Sequence, residues 1–172
     1  MSWDQKAEDV LGLKGIVEAI DWLANQLGIE SFAKRGTNVV LKIRKAMPDA
    51  QGAVSLGKYR RSTHVIVVMN RNNTKSQMLS TFVHELVHAF QYKDSISIEF
   101  PVVSKEFILL AQKTRYAGTT QGKTYLAQPI EIQAFATQYK YLTDVLSLPA
   151  SSFSGNRIEC YRKIGIDILN VL

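Results

Sequence analysis

The chain has one cysteine, Cys160, in 172 residues. An intramolecular disulfide is excluded, and with it every small disulfide-built scaffold. A cysteine-based zinc finger or ribbon is excluded for the same reason. Cys160 also lacks a local signature of a catalytic nucleophile. No apolar run approaches the length of a membrane span, so no membrane partner is expected. The start, Met-Ser-Trp-Asp-Gln-Lys, does not read as a signal peptide: no basic segment and apolar run precede a small-residue cleavage site. A cytoplasmic protein, or one packaged in a virion, is the expectation. There is no Gly-rich phosphate loop, no internal repeat and no low-complexity segment. Histidine is scarce as well, with three in the chain.

What is present fits an ordinary globular chain, 46% hydrophobic and 21% charged. Its length suits one domain, 1–172, with a full core. The net charge of +6 is unevenly placed. Residues 1–36 carry net −2, residues 37–123 carry +8, and residues 124–172 are balanced. Lys58-Tyr59-Arg60-Arg61 is the densest basic spot and reads as a hairpin tip. Such a field attracts acidic or nucleic-acid partners, although a solvated basic surface is the commoner reason for one.

Two of the three histidines fall in His84-Glu85-Leu86-Val87-His88, an HExxH run. A shuffled chain of this composition shows that pattern in roughly one case in several hundred. Leu79, Phe82, Val83, Leu86 and Phe90 recur at helical spacing and make one apolar stripe. His84 and His88 then project about 140–180° from the stripe, beside Ser80, Thr81 and Gln91, so they are expected off the core face. Residues four apart lie one turn apart on the same helix face. Two imidazoles so placed can hold one Zn²⁺, and the glutamate between them can act on water at the ion.

A third protein ligand is needed, together with an open position for water. His64 lies upstream in an expected strand, so the third ligand is sought among carboxylates. Glu131 stands in Gln128-Pro129-Ile130-Glu131-Ile132-Gln133-Ala134-Phe135-Ala136, where Pro129 suits a helix start. Ala134, three residues on, allows a close helix approach. Asp94 and Glu99 are rivals in a stretch that reads as loop and strand.

HELVH followed by a helix with Glu-x-x-Ala resembles the gluzincin metallopeptidases, whose zinc is held by two His and one Glu. The run Pro-Ile-Glu-Ile-Gln-Ala-Phe-Ala is also similar to a segment of the small repressor-cleaving peptidases of phages and mobile elements. It differs from them at Gln133, where many have a second glutamate, and at Phe135, where Asn or Asp often stands. The resemblance covers about 20 residues. It implies His84, His88 and Glu131 as zinc ligands and Glu85 as general base. It also implies an α+β, zincin-like domain: a small mixed sheet of about three strands packed with the HExxH helix and a glutamate helix.

The rest of the chain reads in that order. Leu13, Ile16, Val17, Ile20, Leu23 and Leu27 mark an amphipathic helix ending near Gly28. Strands are expected over 37–43, 52–59 and 64–69, the last nearly all apolar and so central. Gly52, Ala53 and Gly57 make the second the expected edge, where small residues admit another backbone, such as an extended substrate. The HExxH helix spans about Lys75 to Gln91, followed by a helix over 104–116 and a Gly/Thr loop over 117–123. The glutamate helix runs from Pro129 to about Leu146. Ile158, Tyr161, Ile164, Ile168, Leu169 and Leu172 mark a closing helix.

The expected activity is zinc-dependent hydrolysis of a peptide bond in a protein or peptide substrate, intracellular or phage. Glu85 moves the proton, and Tyr125, Tyr116 or His64 is a candidate second donor to the oxyanion. The alternative is a non-catalytic zincin-like protein that binds nucleic acid or serves as a virion or protein-interaction component.

Overall fold

The computed structural model describes residues 1–26, 40–44, 57–60, 65–70, 73–93 and 123–171. His64, Asp94, Glu99 and Tyr116 lie outside them. So do the expected helix over 104–116, most of the Gly/Thr loop, and the first residues of the strands expected from 37 and 52.

Four strands, β1 (Ser2–Trp3), β2 (Val40–Arg44), β3 (Gly57–Arg60) and β4 (Val65–Met69), form one sheet in the order β1-β2-β4-β3. β2 runs parallel to β1 and β4, while β3 runs antiparallel to β4. The sheet is therefore mixed, in an α+β chain as expected. Ile66 to Met69 are all buried, which suits an interior strand apolar at nearly every position. β2 alternates instead, with Leu41 and Ile43 buried and Arg44 exposed. β3 is an edge strand among the described residues. Lys58, Tyr59 and Arg60 pair with Val67, Ile66 and Val65, so the basic run lies at the end of β3 where this antiparallel pair of consecutive strands closes, and Arg61 lies outside the described residues.

The fourth strand is β1, which the sequence does not announce. Two residues are too short for any periodicity. Ser2 and Trp3 pair with Val40 and Leu41. Asp4 then caps α1 (Gln5–Leu11), its carboxylate accepting the Ala7 N–H at 3.0 Å. Gly12, at φ 74°, ends α1, and α2 (Leu13–Gln26) begins at once. The buried face of α2 is Gly15, Ile16, Ala19, Leu23 and Ala24. Leu13 and Val17, expected in the apolar stripe, are exposed instead.

α3 (Lys75–Lys93) carries the HExxH run. Its start is fixed by a reciprocal pair of bonds: Thr74 Oγ1 accepts the Gln77 N–H, and Gln77 Oε1 accepts the Thr74 N–H. Both would otherwise be orphan donors at a helix start. The apolar stripe is buried as expected, but so is the opposite face. Ser80, Thr81, His84, Glu85, His88 and Gln91 are all buried. This corrects the placing of the histidines away from the interior. Periodicity finds the apolar side of a helix and cannot say whether other groups also cover the polar side.

Contacts gather the described residues into two compact units, Met1–Ala89 and Phe90–Leu172, with the division inside α3. The second unit holds α4 (Lys123–Leu126), α5 (Pro129–Asp144) and α6 (Ser151–Arg162). Pro129 opens α5, where its missing N–H costs nothing. Tyr125, Leu126, Ala136, Tyr139, Leu142, Ile158, Tyr161 and Ile168 belong to this unit's apolar cluster. α6 stops at Arg162, so the expected closing helix is shorter than its apolar spacing suggests. Gly165, at φ 80°, turns the chain, and Ile168 returns to the core in a single 3₁₀ turn while Leu169 is exposed. Among the described residues, no helix is long and apolar enough to cross a membrane.

Candidate metal centre

A buried polar stripe is costly unless each group finds a partner. An apolar helix would fold more simply, so the partners of the α3 stripe bear on what the chain does. His84 and His88 face one another one turn apart, with Nε2 to Nε2 at 3.1 Å. Their rings meet edge to face, with centroids 4.8 Å apart and planes at 82°. Two nitrogens about 2.0–2.1 Å from one tetrahedral zinc stand roughly 3.3 Å apart. The observed separation is close to that.

Glu131 is fully buried in the first turn of α5. One ligand atom from each of His84, His88 and Glu131 lies within 4.8 Å of the other two, and this buried group could hold a metal ion. The set joins two neutral donors to one anionic oxygen, the kind of ligand set that suits zinc and other divalent ions.

Glu85 lies between the histidines in sequence and is buried. Its Oε2 accepts the main-chain N–H of Tyr59, in β3, at 2.6 Å. It also passes over Gly57: a Cβ there would stand 2.9 Å from Glu85 Oε1 and 2.5 Å from Thr81 Cγ2. The small Gly57 suggests room for a second backbone. The structure gives that space to α3 side chains.

Gln91 follows His88 by three residues on the same face. Its Nε2 donates to the Ile130 carbonyl and to Gln133 Oε1, both at 2.9 Å. The last turn of α3 is thereby tied to the first turn of α5, the turn that carries Glu131. Helical spacing puts Gln91 beside the histidines but signals no role for it. Gln133, where the resemblance to the phage peptidases departs, accepts the Gln91 amide.

Further along, Tyr161 is fully buried, and its hydroxyl has no hydrogen-bond partner among the described residues. Burial first, then the Glu131 carboxylate and Tyr139, push its phenol above the ordinary tyrosine range. Tyr161 is therefore a neutral O–H in the neighbourhood of Glu131. Tyr125, the candidate oxyanion donor, packs in the apolar cluster of the second unit, and its carbonyl accepts from the N–H and Nε2 of Gln128.

Comparison with known proteins gives no match: no family model, no characterised protein and no solved structure aligns with this chain. Function is therefore read from the chemistry of the site itself.

Proposed function

We propose that the chain is a zinc-dependent endopeptidase of gluzincin-like type. The convergence of His84, His88 and Glu131 around one point, with Glu85 on the helix that carries the two histidines, supports this reading. Three protein ligands leave a fourth position for water, which is the mark of a catalytic rather than a structural zinc site. The ion, when bound, supplies Lewis acidity toward water and toward a scissile carbonyl.

The chain's own groups do the rest. His84 and His88 enter as neutral imidazoles, and Glu131 brings one negative charge into a buried place. Glu85 stands outside the three ligands, and its carboxylate takes a proton from water and delivers it to the leaving amine. The Gln91 bonds hold the first turn of α5, and so the backbone at Glu131. The substrate is a polypeptide.

Metal removal tests this directly. A peptide library derived from digested cell protein is incubated with the protein, and new termini are read by mass spectrometry. Cleavage is expected with zinc, is lost on treatment with a chelator, and returns when zinc is restored. Cleavage that persists in the chelated, metal-free protein contradicts the proposal.

A further inference from the structure

Glu85 is engaged by β3 in two independent ways. The Tyr59 N–H reaches its Oε2. In an antiparallel pair, alternate residues turn their N–H away from the partner strand. β4 flanks β3 on one side, and the Tyr59 N–H is directed to Glu85. The second contact is steric. Gly57 does not have a positive φ, so no unusual backbone conformation calls for glycine there. Space does: its missing Cβ is what lets Glu85 Cγ and Oε1, together with Thr81 Cγ2, lie against the strand.

Gly57 and Tyr59 are two apart on the strand, opposite Val68 and Ile66. One sets how closely the Glu85 stem approaches. The other fixes one of its carboxylate oxygens. A short bond from an N–H to an ionised carboxylate is among the stronger hydrogen bonds. A glutamate held so is confined to a narrow set of rotamers.

We propose that β3 is the positioning element for Glu85, with the Tyr59 main-chain amide as anchor and Gly57 as the gap that admits the side chain. This rests on the reading of Glu85 as general base. A base held in place before the reaction raises turnover and leaves substrate affinity alone, so its loss falls on kcat and not on KM.

Two measurements test it. The first needs no activity. In ¹⁵N-labelled protein, with and without zinc, the Tyr59 amide proton is expected far downfield, and in Glu85→Gln it moves upfield as the charge-assisted bond weakens. The second uses the best-cleaved peptide of the library. Gly57→Ala is combined with Thr81→Ser, which removes the Cγ2 clash and leaves the Cβ against Glu85. The double variant is expected to bind zinc as the wild type does, with kcat lower by about tenfold or more and KM little changed. Thr81→Ser alone is expected to keep wild-type kcat. A Tyr59 resonance that is the same in wild type and Glu85→Gln overturns the proposal. So does a double variant that cleaves with wild-type kcat. If wild-type protein loaded with zinc cleaves nothing in the library, the hydrolytic reading fails, and the positioning role fails with it. If cleavage is seen and either of the other two results is obtained, the positioning role alone fails.

Discussion

Replacing Glu85 with glutamine is expected to abolish most peptide hydrolysis, by at least about a hundredfold, while zinc content stays at the wild-type level. The substitution keeps the volume and the shape of the side chain. Its amide oxygen can still accept the Tyr59 N–H, so the contact between α3 and β3 survives in weaker form. A buried carboxylate is also costly, so losing its charge is not expected to unfold the protein. What disappears is a group that can accept a proton. Cleavage of the peptide library, with zinc measured on the same preparation, checks this. Wild-type cleavage by Glu85→Gln means that another group is the base.

Glu131→Ala is expected to weaken zinc binding by about ten- to a hundredfold or more, measured by competition with a chelator of known affinity. Removing a ligand leaves two imidazoles, and nothing in an alanine replaces the lost oxygen. Asp94→Ala and Glu99→Ala are expected to bind zinc as the wild type does. These two residues lie outside the described residues, so the comparison tests the ligand set independently of where they stand. Circular dichroism of the metal-free variants separates loss of a ligand from loss of fold. Wild-type zinc affinity in Glu131→Ala, with a loss in either rival, means that the third ligand is misassigned.

Some parts of this molecule are legible in the chain because they carry repeating side-chain patterns. α3 announces itself by Leu79, Phe82, Val83, Leu86 and Phe90, and β4 by a nearly unbroken apolar run. His84 and His88 follow from the period of the helix once it is found. Glu131 stands out among the carboxylates by Pro129 and the small Ala134 one turn on, but Asp94 and Glu99 stay open as rivals, and it is the resemblance to the gluzincins that implies Glu131. Other parts leave no such pattern. β1 is two residues long and is a strand only because β2 lies beside it. Ile164 and Ile168 keep helical spacing beyond Arg162, yet Gly165 adopts a positive φ and the helix has already ended. Periodicity records which side of a segment is apolar, not where the backbone changes course.

The environment of Glu85 was hidden for a different reason. Its hydrogen-bond donor is a main-chain N–H, which every residue but proline has, so no residue type marks it. Gly57 did stand out as small, but small residues serve close approach of any kind. Only the structure distinguishes an approaching side chain from an approaching strand. Burial of the histidines was missed on similar grounds, since a polar helix face looks the same in sequence whether water or protein lies against it.

The central claim is that His84, His88 and Glu131 together hold one zinc ion. Its most direct test is the metal content of purified protein after loading with zinc and removal of the unbound ion, measured by mass spectrometry of the element. One zinc per chain is the predicted result. Less than about half an equivalent contradicts the account.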